Sequence, residues 1–141
     1  AVPFRAALEV VEFKPGTVPV FANTTAAKYP DDPKDARDLL ANQLAKPVAF
    51  VEQIRAMAES GARTFLEVGP GSVLTRLTES ILADVGIAGV QTFAIGAGGG
   101  KRSSVLELGD ALARLAARGH EVELAAWERN RSSFPTTVVP R

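Results

Sequence analysis

The hydrophobic pattern between residues 31 and 61 predicts two successive helices. Apolar residues recur there at the three-to-four-residue spacing of a helix face. Asp31 and Asp32 supply a carboxylate cap, and Pro33 follows as a proline in the first helical turn. Pro47 ends this first helix and opens the second, and Gly61 is placed to end the second helix in the left-handed conformation.

Two short apolar runs farther along the chain predict strands on either side of a third helix. The first run covers residues 63–68 and leads into a tight turn at residues 69–71. Residues 73–82 follow with helical periodicity, and residues 90–95 form the second apolar run. The apolar face predicted for this helix consists of Val73, Leu74, Leu77, Ile81 and Leu82. This strand–helix–strand order predicts an α/β fold with a mostly parallel sheet and flanking helices.

Weaker signals complete the secondary-structure prediction. They are a short helix at residues 4–11, a strand at 18–22, a helix opened by a capping box of Ser104 and Glu107 and closed by Gly119, and a last strand at 121–125. From Glu128 onward the chain is polar and aperiodic, which predicts a linker.

Composition narrows the class of protein. The chain has 141 residues, enough for one domain, and 46% of them are apolar. Lys and Arg together number 16, and so do Asp and Glu, so the formal net charge is zero. This charge gives no indication of a nucleic acid or an anionic membrane as partner. No apolar run is long enough to span a membrane and no signal peptide is visible, which predicts a cytoplasmic protein.

The glycine-rich segments suggest phosphate or nucleophile chemistry but do not satisfy either motif. A phosphate loop requires G-x-x-x-x-G-K-[ST], and Ile95 and Arg102 occupy two of its fixed positions, so residues 96–102 are interpreted as a surface loop. Ser72 follows a Gly-Pro-Gly turn but lacks the G-x-S-x-G environment of a nucleophile elbow. We therefore interpret Ser72 as the cap of a helix whose amides could at most hold an anion.

The titratable residues do not form a recognisable catalytic set. His120 is the single histidine and follows a glycine at a predicted helix end, so we expect it to be exposed. There is no cysteine, and we predict no transition-metal site. Glu67, at the end of a strand, is expected to be a cap or turn residue, and Trp127 an apolar anchor for the linker.

Three segments resemble the malonyl-CoA:acyl-carrier-protein transacylase family, which includes the acyltransferase domains of fatty acid and polyketide synthases. Residues 42–50 read Asn-Gln-Leu-Ala-Lys-Pro-Val-Ala-Phe, and residues 67–74 read Glu-Val-Gly-Pro-Gly-Ser-Val-Leu. Residues 19–25, Pro-Val-Phe-Ala-Asn-Thr-Thr, resemble a strand upstream of both. The resemblance covers about residues 4–83. The residues of the 19–25 strand and of the segment Gln43 to Phe50 are most similar to those of iterative synthases of the polyunsaturated-fatty-acid or enediyne type.

The resemblance implies the C-terminal part of an α/β-hydrolase-like acyltransferase domain at residues 1–97 and a post-acyltransferase linker at 98–141. In this family a serine in a G-H-S-x-G elbow takes the acyl group from coenzyme A and passes it to the phosphopantetheine thiol of a carrier protein. A histidine is the general base, and the resemblance implies that both residues lie upstream of Ala1. One supporting position carries over, Gln43, whose backbone carbonyl would orient that histidine.

The partners implied are acyl-CoA, an acyl carrier protein, the N-terminal part of the same domain and an adjacent ketosynthase domain. No bound cofactor or metal is expected, and we expect the chain to be inactive alone. The alternative is a non-catalytic docking or scaffold module that binds a carrier protein or a neighbouring synthase domain, with Trp127 and Phe134 at the contact.

Overall fold

The computed structural model describes residues 2–96, 104–123 and 125–126. These residues form two compact units, one of residues 2–67 and 72–93 and one of residues 68–71 and the described residues from 94 onward. In chain order the elements are α1 (Val2–Glu9), α2 (Pro33–Asn42), a 3-10 turn (Gln43–Ala45), α3 (Phe50–Glu59), β1 (Thr64–Val68), α4 (Val73–Asp84), β2 (Gln91–Ile95) and α5 (Ser104–Ala117). No helix among these residues is long and apolar enough to cross a membrane.

Helix α2 begins where the sequence predicts. The Asp32 carboxylate accepts hydrogen bonds from the amides of Lys34 (2.9 Å) and Asp35 (3.0 Å), and Pro33 occupies the first turn. Proline is tolerated there because the first amides of a helix have no partner within it. This local hydrogen bonding confirms the predicted carboxylate cap and identifies Asp32, of the two aspartates, as the residue that provides it.

Arg37 of α2 holds the end of α1 in place. Its Nε donates to the Leu8 carbonyl (3.0 Å) and a terminal nitrogen donates to the Val11 carbonyl (3.2 Å). The guanidinium also lies 5.2 Å from the centre of the Phe13 ring. Since the last carbonyls of a helix lack intrahelical donors, Arg37 serves as a side-chain cap for α1.

Helices α3 and α4 enclose the core of the first unit. Ile54, Ala58 and Leu82 are buried, with Phe65 of β1 among the partly buried side chains around them. Burying a leucine or isoleucine contributes about 1.5–3 kcal/mol of hydrophobic free energy. Gly61 ends α3 with a φ of +102°, which confirms the predicted left-handed ending.

The predicted apolar face of α4 is only partly correct. Thr78 and Leu82 are the buried residues of this helix, whereas Leu74 and Leu77 are 48% and 47% exposed. The helix therefore packs on α3 with the face that contains Thr78, and its first turns present aliphatic side chains outward. Periodicity could not reveal this, because it places residues on a face without specifying the partner.

Strands β1 and β2 form a two-stranded parallel sheet joined through α4. The Gln91 amide donates to the Arg63 carbonyl (2.8 Å), which sets the register at the start of the sheet. The strand–helix–strand prediction is confirmed at this level, as a mixed α/β architecture.

Two predicted strands are wrong. Residues 18–22 contribute one antiparallel bridge, between Phe21 and Lys28, because Pro19 has no amide to donate and the segment pairs with its own continuation. Residues 121–123 are not in a strand, and the Ala126 amide instead donates to the Glu123 carbonyl (3.0 Å). Leu124 lies outside the described residues.

In the second unit, the turn at residues 69–71 packs against the end of β2. The Gly71 amide donates to the Gly96 carbonyl (3.0 Å), and a Cβ at Gly96 would lie 2.7 Å from the Gly69 carbonyl oxygen. Gly96 also has a φ of +98°, so this close approach of two backbones requires glycine. Helix α5 begins at Ser104 and Gly119 follows its end with a φ of +82°, so the predicted helix and its ending are confirmed. The predicted capping box depends on the side chain of Ser104, which lies outside the described residues.

Candidate functional site

Gln43 lies at the junction between α2 and the 3-10 turn. Its amide donates to the Leu40 carbonyl as the C-cap of α2, and its own carbonyl accepts from the Lys46 amide at 3.2 Å. A continuing α-helix would bring the amide of residue 47 to the Gln43 carbonyl, but residue 47 is proline and has no N–H. A carbonyl oxygen has two lone pairs, so the Gln43 carbonyl retains acceptor capacity.

The side chain of Gln43 is held by Tyr29. The Tyr29 hydroxyl donates to Oε1 of Gln43 at 3.4 Å, and both residues are half-buried. Partial burial raises the pKa of Tyr29 above its usual value. The phenol therefore stays protonated at neutral pH and remains a donor.

Tyr29 ends a ten-residue segment, residues 20–29, that folds back on itself. The Tyr29 amide donates to the Val20 carbonyl (2.8 Å), and the Ala22 amide donates to the Ala27 carbonyl (2.8 Å). Ala26 adopts the left-handed conformation with a φ of +55° at the reversal. This conformation is uncommon for a residue with a Cβ, so the turn is held by its hydrogen bonds.

The 20–29 segment is anchored to α3. Gln53 is 6% exposed, and its Nε2 donates to the Phe21 carbonyl at 2.9 Å. The Ala49 amide, directly before α3, donates to the Asn23 carbonyl at 2.6 Å. The connection between α2 and α3 is thus fastened to the same segment at both ends, by Tyr29 at Gln43 and by Asn23 at Ala49.

An open groove of about 590 Å³ lies beside Tyr29. Its lining combines apolar side chains such as Phe13 and Leu40 with the cations Lys14 and Lys28. Lys14 pairs with the Glu12 carboxylate at 3.2 Å. The groove has the size of a small-molecule site. Tyr29 both lines the groove and donates the hydrogen bond to Gln43.

Glu67, at the end of β1, caps helix α4. Its carboxylate accepts from the Thr75 hydroxyl (2.6 Å), the Thr75 amide (2.8 Å) and the Leu74 amide (3.3 Å). These hydrogen bonds lower the pKa of Glu67, and the one from the Thr75 hydroxyl has the largest effect. The positive charge of Arg76 lowers it further. The amides that could have held a bound anion therefore already hold a carboxylate of the chain itself.

The structure corrects the interpretation of Ser72. Ser72 occupies the N-cap position of α4, but its side chain makes no capping hydrogen bond. The amides of the first turn are taken by Glu67 because an ionised carboxylate is a stronger acceptor than a hydroxyl. Glu67 was correctly interpreted as a cap or turn residue, although sequence alone did not assign it to α4.

The remaining candidates are not brought together. His120 lies exposed beyond the end of α5, as predicted, with its amide donating to the Leu115 carbonyl at 3.1 Å. No group of three or more His, Asp or Glu that could hold a metal occurs in the part of the chain that the structure describes. Trp127, Phe134, most of the glycine-rich loop and the side chain of Ser104 lie outside that part.

Sequence reasoning missed Tyr29 and Gln53. A signal existed for Gln53, because it lies next to Ile54 on the face of α3 that the periodicity predicts to be buried, and a buried amide requires a partner. Tyr29 carried no such signal, since its partner Gln43 is fourteen residues away and beyond a helix.

Relatives of this chain are found among proteins of fatty acid and polyketide synthesis. The chain is 35% identical over 100 residues, 71% of its length, to a polyunsaturated fatty acid synthase of Thraustochytrium sp.. It is 43% identical over 65 residues, 46% of its length, to polyketide biosynthesis protein ThaF of Burkholderia thailandensis. It is 35% identical over 74 residues, 52% of its length, to malonyl CoA-acyl carrier protein transacylase of Bacillus subtilis.

The matched segments are short parts of these relatives: they cover 3% of the fatty acid synthase, 6% of the polyketide protein and 23% of the transacylase. No protein-family model matches the chain. No solved structure matches it either. On the sequence matches, this chain belongs to the family of malonyl-CoA:acyl-carrier-protein transacylases and polyketide synthase acyltransferase domains.

Proposed function

We propose that the protein containing this segment loads an acyl group, malonyl in the first instance, from coenzyme A onto an acyl carrier protein through a seryl ester. The segment contributes the C-terminal part of an α/β-hydrolase-like acyltransferase domain, with a boundary to a following linker near residue 97. The relatives named as transacylase and polyketide synthesis proteins support this proposal, as does the α/β architecture.

Gln43 is the residue of this chain that we assign to the reaction. Its carbonyl would accept the N–H of the histidine that acts as general base, which fixes the tautomer so that the other ring nitrogen faces the serine. The observation that carries this role is the spare acceptor capacity of the Gln43 carbonyl, which has Lys46 as donor and a proline at the position of the next helical donor.

The position of Gln43 at a helix end adds an electrostatic contribution. The C-terminal end of a helix has a partial negative charge from its carbonyl groups, and a cation nearby is stabilised. When the histidine takes the serine proton it becomes an imidazolium, so the end of α2 would favour the charged form at the moment of reaction.

The proposal is tested by acyl loading. Malonyl-CoA is mixed with the full-length protein, and intact mass is expected to increase by one malonyl group, which is lost again when carrier protein is added. The 141-residue chain alone is the control and is expected to form no adduct, because it has no G-H-S-x-G elbow. Absence of the adduct from the full-length protein, or its presence on this chain, would contradict the proposal.

A docking module without catalysis is the second candidate. The observation that favours it is the set of exposed aliphatic side chains next to Gln43, with Leu44 67% and Val48 60% exposed. Two neighbouring aliphatic side chains that are each more than half exposed fit a contact surface for a carrier protein or a neighbouring synthase domain. Measured binding of carrier protein to a full-length protein that forms no acyl adduct would favour this function over acyl transfer.

A further inference from the structure

The Gln43 carbonyl depends on the residue four positions later. In an α-helix each carbonyl accepts the amide of residue i+4, and for Gln43 that residue is Pro47. Because proline has no amide hydrogen, the helix cannot continue through this carbonyl. The chain changes to a 3-10 turn, and its closing hydrogen bond comes from Lys46 at 3.2 Å.

Pro47 also determines the backbone just before it. The residue preceding a proline is excluded from the helical region by contact with the proline ring, and Lys46 is extended with φ −122° and ψ 151°. Helix α3 begins only at Phe50. The amides that follow Lys46 are thereby directed away from a helical path, and one of them, that of Ala49, donates to Asn23 at 2.6 Å.

Tyr29 acts on the same residue through its side chain. Its hydroxyl donates to Gln43 Oε1 at 3.4 Å, and its own position is fixed by the amide hydrogen bond to Val20 (2.8 Å) and by the anchoring of the 20–29 segment to Gln53. A glutamine side chain at the end of a helix would otherwise rotate among several conformations in water. The contact from Tyr29 favours one of them.

We propose that Pro47 and Tyr29 are positioning residues for the Gln43 carbonyl: the proline withholds the amide that would compete for it, and the tyrosine fixes the residue that carries it. This inference rests on the proposed function, because the carbonyl matters to catalysis only if it orients a histidine. It adds two residues that act through Gln43.

The test uses the full-length acyltransferase with malonyl-CoA and four single variants. Pro47→Ala restores the amide and Tyr29→Phe removes the hydroxyl. Their controls are Pro70→Ala, at an exposed proline outside the helices, and Ser60→Ala, which removes a hydroxyl that donates to the Met57 carbonyl (2.7 Å) at the far end of α3. Initial rates of acyl loading are measured against pH and malonyl-CoA concentration, and melting temperature is recorded for each variant.

We expect kcat to fall by about two- to tenfold in Tyr29→Phe and by about tenfold or more in Pro47→Ala, with KM for malonyl-CoA unchanged. A carbonyl that accepts from an imidazolium raises the pKa of the histidine, so loosening that hydrogen bond lowers it. The acidic limb of the pH–rate profile is therefore expected to move to lower pH in both variants and to stay in place in both controls. A purely structural role would lower the melting temperature without moving this limb.

Three outcomes would overturn the inference. If wild-type enzyme loads malonyl and the limb stays in place in both variants, the positioning roles are wrong while the proposed function stands. If the limb moves equally in the control variants, the effect is not specific to Gln43. If the wild-type enzyme forms no acyl adduct, the proposed function fails, and these positioning roles fail with it.

A double variant tests whether Tyr29 acts through the Gln43 side chain. Gln43→Leu in a Tyr29→Phe background is expected to be no slower than Tyr29→Phe alone, since the two substitutions remove the same hydrogen bond.

Discussion

Glu67 and Thr75 join the end of strand β1 to the first turn of helix α4 through two hydrogen bonds. The Thr75 hydroxyl and the Thr75 amide both donate to one oxygen of the Glu67 carboxylate, at 2.6 and 2.8 Å. The residues between them form the Gly-Pro-Gly turn and the start of the helix. The acidic residue of the Glu-Val-Gly-Pro-Gly segment therefore has a structural task, which is to close the strand-to-helix turn.

The first prediction concerns removal of this charge. Glu67→Gln keeps an acceptor of similar shape but loses the ionised oxygen that the amides of α4 favour. We expect a lower urea midpoint at pH 7 and faster hydrogen exchange at the amides of Leu74 and Thr75. The matched control is Glu59→Gln, at an exposed carboxylate at the end of α3, which is expected to leave the midpoint unchanged.

The second prediction follows from the lowered pKa of Glu67. Because the carboxyl is more acidic in the folded protein than in the unfolded chain, its contribution to stability is present above the unfolded value of about pH 4.3. That contribution is lost as the pH falls through the lower folded pKa. The difference in urea midpoint between wild type and Glu67→Gln should therefore shrink on acidification from pH 7 to pH 3. A difference that is constant or grows over this range would contradict the assignment.

The third prediction concerns the buried amide of Gln53. Gln53→Leu keeps an apolar stem of similar size but leaves the Phe21 carbonyl without its donor. An unpaired buried acceptor costs about 1–3 kcal/mol, and we expect the free energy of unfolding to fall by that amount. The 20–29 segment should also become more sensitive to proteolysis. The neighbouring exposed variant Glu52→Ala is expected to change stability by less than about 0.5 kcal/mol.

The fourth prediction separates steric contact from backbone strain at glycine. Gly96 and Gly89 both have positive φ, of +98° and +74°, but only at Gly96 does an added Cβ meet backbone, the Gly69 carbonyl oxygen at 2.7 Å. Both alanine variants bear the cost of an unfavourable φ. Gly96→Ala should therefore be less stable than Gly89→Ala by about 1–3 kcal/mol, as measured by chemical denaturation. Equal losses would mean that the turn at residues 69–71 moves aside without cost.

The fifth prediction concerns the attachment of α1. Arg37→Lys keeps the charge but cannot reproduce the two donors that reach the carbonyls of Leu8 and Val11. We expect a loss of about 0.5–1.5 kcal/mol and faster hydrogen exchange confined to α1. Arg118→Lys, at an exposed arginine beyond the end of α5, provides the control. Unchanged exchange in α1 would show that Leu8 and the ion pair between Arg5 and Asp38 hold the helix without Arg37.

Local rules were sufficient wherever a residue acts on its own chain neighbours. Asp32 and Pro33 start α2, Gly61 ends α3 and Gly119 follows α5, each through hydrogen bonds or φ values that involve a few adjacent residues. Pro47 belongs to the same class, because it has no amide hydrogen to donate to the Gln43 carbonyl four residues earlier. These features are determined by the sequence itself.

Tertiary structure decided which partners meet across larger separations. Sequence favoured Ser72 as the cap of α4, but Glu67 takes the amides because the end of β1 brings a carboxylate to them. It favoured a strand at residues 18–22, but that segment pairs with its own continuation and is fastened by Gln53, thirty-two residues beyond Phe21. Periodicity identifies faces and turns, whereas the partner of each polar group depends on where distant segments come to lie, and only the folded chain specifies that.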